Sequence, residues 1–138
     1  MLSKLPQLTL LLALGVVGAS CFTVVQTLAG CWTNELGSTA NILMDEDGTL
    51  RGTYRSAVSR TGKQVEGVLI GTQVHIAHPT FGFVVKWTTD SVLGAVSVWT
   101  GEIFGDQMKT VWLERSPSTP ETNWAATLTG TDIFTRCK

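Results

Sequence analysis

Charge is scarce in this chain: only 15% of its 138 residues are Asp, Glu, Lys or Arg, against 43% hydrophobic. That ratio argues against disorder, because enough apolar surface is present to build a core. Basic runs are absent as well. No two Lys or Arg residues are adjacent and the formal net charge is −1, so a nucleic-acid reader held by phosphate contacts is not expected. The three Cys and two His form neither a CxxC nor a Cys/His cluster, which leaves no structural zinc motif. His75 and His78 are three apart on a predicted strand or turn and so face opposite ways. They make neither a metal pair nor a catalytic base with an evident nucleophile, and both read as surface residues. Beyond residue 30 no 3.6-residue apolar period appears, which argues against a helical bundle. Nor is there length for two domains of ordinary size.

Against these absences stand 14 Gly and five Trp, with only four Pro. Many Gly with few Pro suit strands and tight turns, and five large indoles in so small a chain call for a specific use.

The N-terminal segment reads as a leader. Lys4 is the only charge before Glu35, and Leu8 to Ala19 form a short apolar run that exits through the small residues Ala19 and Ser20. A basic start, an apolar middle and a small-residue exit describe a secretory signal peptide, here residues 1–20. A membrane anchor is the competing reading, since the uncharged run continues to Gly30. Ser20, Gln26 and two Thr interrupt it where a span should be most apolar. Leu28-Ala29-Gly30-Cys31 mimics a lipoprotein cleavage box, but it lies far beyond the apolar run and leads directly into the first predicted strand. A secreted, extracellular protein with no membrane attachment after leader removal is therefore expected. In that oxidising setting Cys31 and Cys137, which bracket the mature domain, are expected to be paired.

The rest reads as β-branched and aromatic runs separated by turns. Strands are predicted at 29–36, 39–45, 49–57, 65–73, 80–88, 95–104, 108–115 and 125–136. Asp45-Glu46-Asp47-Gly48 is predicted to be a hairpin turn rather than a calcium loop, because it lacks alternating oxygen ligands and a distant bidentate Glu. Eight strands with short connections give an all-β fold, an eight-stranded antiparallel up-and-down β-barrel that removes its edges by closing. A barrel of this size has an interior wide enough for side chains or one small ligand.

In the last strand, Ala126, Leu128, Gly130, Asp132, Phe134 and Arg136 share the inward face. Charges facing a lumen need partners. In a closed barrel Arg136 neighbours Trp32 on the first strand, and a guanidinium laid across that indole would close the floor. Asp132 has no obvious basic partner, which points to a ligand with N–H donors. The outward neighbours Cys31 and Cys137 then fall on adjacent strands, where an external staple across the closing seam is feasible. An intersubunit bridge is the alternative.

Several segments, in order, resemble the avidin and streptavidin family. They are Trp32-Thr33-Asn34-Glu35-Leu36-Gly37-Ser38, Gly52-Thr53-Tyr54-Arg55-Ser56-Ala57-Val58, and Pro79-Thr80-Phe81-Gly82-Phe83 with Trp87. Trp99-Thr100-Gly101, Thr110-Val111-Trp112-Leu113, and Trp124 with Gly130-Thr131-Asp132-Ile133-Phe134-Thr135-Arg136 follow. The resemblance covers residues 28–138 and implies non-catalytic binding of biotin as a ligand, with no cofactor or metal.

By that resemblance Asn34, Ser38 and Tyr54 are donors to the ureido carbonyl, an arrangement akin to an oxyanion hole. Asp132 and Ser56 accept from the two ureido N–H groups, and a carboxylate at Asp132 strengthens the polarisation. Ser97 approaches the ring sulfur, and Trp87, Trp99 and Trp112 wall the bicyclic ring. Trp124 matches the indole given to a neighbouring subunit, which implies a homotetramer. Ser59 and Thr61 remain as donors to the tail carboxylate, with Arg60 between them as a charged partner. Two positions depart from the family pattern. Ala95 stands where relatives often have a Ser reaching the carboxylate, and Glu114 stands where the family has an apolar Leu lining the pocket. Glu114 is expected to face the mouth and to oppose the tail carboxylate.

Two rival functions can be set against the same residues. A lipocalin-like carrier of an apolar ligand suits the barrel and the Gly30-Cys31-Trp32/Arg136 floor. It would leave Asn34, Ser38, Tyr54, Ser56 and Asp132 unsatisfied around its guest. A secreted hydrolase needs an activated nucleophile, and no Ser–His–Asp spacing or carboxylate pair is apparent.

Overall fold

A computed structural model describes residues 26–59, 61–74, 77–89 and 92–138. The predicted leader, Cys21, Arg60 and His75 lie outside the described residues. Eight strands follow one another: β1 Gly30–Asn34, β2 Thr39–Met44, β3 Thr49–Ser56, β4 Val65–Gln73, β5 Thr80–Trp87, β6 Val96–Phe104, β7 Gln107–Arg115 and β8 Thr127–Arg136. Each pairs antiparallel with the next, and β1 also pairs with β8, so the sheet closes into a barrel. The expected all-β, up-and-down architecture is what the chain adopts.

Most strand ends match the sequence reading to within one residue, and two differ by two residues, for local reasons. β1 stops at Asn34 because the Asn34 side-chain carbonyl accepts from the main-chain N–H groups of Leu36 (3.1 Å) and Ser38 (2.9 Å). Those bonds fold residues 35–38 into a turn, where strand had been expected through 36. β8 begins at Thr127 rather than 125, since Asn123–Ala125 form one turn of 3-10 helix. The acidic Asp45–Gly48 segment is a hairpin turn. Gly48 takes φ +85°, and the Asp47 carboxylate accepts from Thr49 N–H at 2.9 Å, which holds its pKa below the usual value.

Alternation sorts side chains to the inside and stacks them from floor to mouth. On β8 the inward series runs Arg136, Phe134, Asp132, Gly130, Leu128; on β7 it runs Met108, Thr110, Trp112, Glu114. The lower half is solid core, in which Trp32, Leu50, Leu69, Phe83, Ile103, Met108 and Phe134 are at most 2% exposed. The floor is built as the sequence suggested. Arg136 pairs with Trp32 across the β1–β8 seam, and its guanidinium carbon lies 3.8 Å from the indole centroid. The same guanidinium donates to the carbonyls of Ala29 (2.5 Å) and Thr27 (2.7 Å), while Trp32 Nε1 donates to Leu28 O at 2.8 Å. Outside this seam Cys31 and Cys137 form a disulfide within the chain, with Cα atoms 5.4 Å apart. With the floor filled and stapled, the free volume of the barrel lies at the other end.

Candidate ligand-binding site

The upper half of the barrel holds a cavity of about 120 Å³ lined by Asn34, Ser38, Tyr54, Ser56, Trp87, Ser97, Trp99, Trp112, Glu114 and Asp132, with Leu36 and Val58 at its edge. Nine of the twelve ligand-binding residues expected from the sequence thus meet in one place, drawn from β1, the β1–β2 turn, β3, β5, β6, β7 and β8. A wider vestibule of about 510 Å³ adjoins it and shares Ser56, Val58, Trp87 and Glu114. The inner cavity alone is smaller than the about 300 Å³ of an ordinary small-molecule pocket, so a ligand of that size would extend into the vestibule.

The hydrogen bonds already made determine what each polar group can still offer. The Asn34 carbonyl is occupied by the turn, while its amide donates one hydrogen to Asp132 Oδ1 at 3.3 Å and keeps a second. The Ser38 oxygen accepts from Ala57 N–H at 3.0 Å and retains its own hydrogen to donate. Tyr54 is 2% exposed, and burial first, then the negative charge of Asp132, raises its pKa well above the usual phenol value. It therefore remains an O–H donor at any physiological pH. Three donors face the inner end.

Acceptors stand beside them. The Ser56 hydroxyl donates to Val58 O at 2.5 Å and its oxygen accepts from Val58 N–H at 3.4 Å, which leaves one lone pair able to accept. Asp132 is 8% exposed and takes one bond on each oxygen, from Asn34 and from Trp99 Nε1 (3.1 Å), so each oxygen has a lone pair left. Burial raises the Asp132 pKa above the ordinary carboxylate value, and exposed Glu35 adds to the rise; the bonds from Trp99 and Asn34 oppose it.

Aromatic rings form the walls. Tyr54 stacks on Trp99 with centroids 4.7 Å apart and meets Trp87 edge-on at 5.8 Å. The Trp112 indole packs close over β8 because Gly130 has no side chain; a Cβ there would lie 2.5 Å from the ring.

The remaining three expected residues lie elsewhere. Ser59 lines the vestibule, where its hydroxyl donates to Lys63 O at 2.6 Å. Thr61 is exposed, bonds to Ser59 at 3.0 Å and lines neither cavity. Trp124 stands on the 3-10 turn, 84% exposed, and lines neither. Ala95, just before β6, is on the vestibule wall, and Glu114 is inside, as its phase with Trp112 predicted. Sequence reasoning missed the indole bonds from Trp99 to Asp132 and from Trp87 to the Ser97 hydroxyl (2.8 Å). The phase of β5, β6 and β8 gave the facing, but not which ring nitrogen met which oxygen.

The sequence profile of the avidin family matches residues 22–137 of the chain. The chain belongs to the avidin family. Chicken (Gallus gallus) avidin is 38% identical over 142 residues, covering 95% of this chain and 91% of avidin. Avidin-related protein 4/5 of the same organism is 37% identical, covering 94% and 90%. Among solved structures, the crystal structure of xenavidin superposes with a TM-score of 0.75 at 34% identity, covering 83% of this chain and all of that one. A structure described as biotin binding protein from chicken gives a TM-score of 0.72 at 37% identity, covering 80% and 96%. The barrel is thus common to this chain and to those two solved structures.

Proposed function

We propose that this avidin-family chain binds biotin non-catalytically in its inner cavity. The observation that carries the reading is the convergence of three donors, Asn34, Ser38 and Tyr54, opposite two acceptors, Ser56 and Asp132. A ureido group presents one strong acceptor and two N–H donors, the complement of that set. Asn34 and Ser38, already oriented by main-chain bonds, polarise the carbonyl without reorganising, and ionised Asp132 strengthens the effect from the other side. Trp87, Trp99 and Trp112 offer apolar faces to the ring system, with Ser97 nearest the ring sulfur. The serine hydroxyls in the cavity are bound to main chain, indole or carboxylate, and among the described residues no imidazole lines it beside them, an arrangement that suits binding.

The assembly is a homotetramer in which Trp124 covers a neighbour's vestibule. An indole 84% exposed on a monomer, and the separate row of exposed Val98, Val111 and Leu113 on the outer face of β6 and β7, favour covered surfaces. The mature domain is 28–138, secreted after removal of residues 1–20, and the internal disulfide suits that compartment. Ser59 and Thr61 reach the ligand tail only if the Ser59 hydroxyl leaves Lys63 O, so they contribute less than the inner set.

Calorimetric titration with biotin, alongside desthiobiotin, tests the reading. One biotin per chain is expected, with desthiobiotin weaker because it lacks the sulfur ring. Tyr54→Phe should weaken binding by roughly 1–3 kcal/mol, the cost of a buried group left unpaired. A folded protein that gives no heat with biotin would overturn the proposal.

A further inference from the structure

Glu114 is not accounted for by the ureido chemistry. It lies on β7 one inward step above Trp112, paired with Ser97 on β6 and Leu128 on β8, and it lines both the inner cavity and the vestibule. Its position is held from below. Trp87 Nε1 donates to the Ser97 oxygen at 2.8 Å, so the Ser97 hydrogen is free to donate, and Glu114 Oε2 lies 3.4 Å away. The Trp87–Ser97–Glu114 chain keeps a carboxylate at the junction of the two cavities. Among the described residues no Lys, Arg or His lines either cavity, and the vestibule around Glu114 is mostly apolar, formed by Val58, Val65, Val92, Leu93, Pro117 and Leu128.

We infer that Glu114 makes this site select biotin amides, above all those whose amide chain ends in an ammonium, over the free acid. The inference rests on the biotin reading. A ligand whose head reaches Asp132 must run its tail through the junction past Glu114. The free acid brings a second anion there. Two unit charges about 8 Å apart at an effective dielectric near 20 oppose binding by a factor of roughly 30, less in salt. An amide removes that charge and offers an N–H to the Glu114 oxygen. A methylene chain beyond it meets the apolar vestibule wall, and a terminal ammonium turns the long-range repulsion into attraction.

Dissociation rates of biotin, its methylamide and its ethylenediamine monoamide, measured at low and high salt, test the inference. From the unmodified protein the amine-tailed ligand should leave most slowly and the free acid fastest, with roughly tenfold or more between them at low salt and less at high salt. Glu114→Gln keeps the size and the acceptor for Ser97 and should collapse the difference. Equal rates for the three ligands, or an order that persists in Glu114→Gln, overturn the inference while biotin binding stands. Slowest release of the free acid, as a cation from the 59–63 loop bridging both carboxylates would give, overturns it too. Failure of all three to bind overturns both readings.

Discussion

Trp99 donates its indole N–H to Asp132 at 3.1 Å, reaching from β6 across β7 to β8. A residue expected only to wall the pocket therefore also holds the carboxylate that lines the inner cavity. The bond favours the charged form of Asp132 and fixes one of its oxygens, leaving the other lone pairs directed inward. Trp99→Phe keeps an aromatic face but removes the bond. Biotin release should quicken by about tenfold, near 1.4 kcal/mol. In a double-mutant cycle with Asp132→Asn the two losses should be markedly non-additive. Additive losses would mean that Trp99 acts through packing alone.

Asp132 should also make ligand stabilisation depend on pH. Its pKa is raised in the folded protein, chiefly by burial. The native state therefore holds this proton more tightly than the unfolded chain does. The associated stability is complete below the unfolded carboxylate value, about 3.9, and is lost as pH rises through the raised folded value. A ligand N–H that favours the ionised form reverses the cost. The rise in melting temperature caused by the neutral biotin methylamide should grow as pH rises across that window, and Asp132→Asn should flatten the curve. A neutral ligand keeps tail titration out of the measurement. Parallel curves for the two proteins would refute this role.

The strand phase that placed these groups was readable without a structure. Alternation on β8 put Asp132, Phe134 and Arg136 inside, and the same parity argument put Glu114 above Trp112. Arg136 on Trp32 followed from closure alone. What parity does not carry is anything that depends on rotamers or on turns. Asn34 looked like a ligand donor, yet its carbonyl first builds the turn that ends β1, and this leaves its amide facing Asp132. Ser59 and Thr61 had the right chemistry, but their loop folds their hydroxyls onto each other and onto Lys63 O. The 3-10 turn carrying Trp124 has too few residues for a period to show.

Trp124 supplies a prediction about assembly. Its indole is exposed in the single chain and lines no cavity there, so any part it takes in binding must be at another subunit. Trp124→Lys should raise the biotin dissociation rate and loosen the oligomer in the same preparation, read by stopped flow and sedimentation velocity. A monomer that holds biotin as tightly as the unmodified protein would remove the indole from the site.

The disulfide separates fold stability from binding. Cys31 and Cys137 are 106 residues apart in sequence and close almost the whole barrel. Chain entropy assigns such a loop up to about 4–5 kcal/mol, acting on the unfolded state. The seam does not depend on sulfur alone: Cys137 N–H donates to Cys31 O at 3.0 Å, and Arg136 still binds Thr27 O and Ala29 O beneath Trp32. The bridge also lies beside the floor, while the inner cavity opens at the opposite end. Cys31→Ser with Cys137→Ser should therefore fold, close and bind biotin with an unchanged dissociation rate. Its unfolding midpoint should fall well below that of the unmodified protein, compared at equal concentration so that the proposed assembly contributes equally to both. Arg136→Ala serves as the contrast, since it removes native-state bonds at the floor and leaves the covalent loop intact. Loss of biotin binding in the double Ser variant would show that the seam shapes the site, and an unchanged midpoint would show that the loop entropy is already offset by the closed sheet.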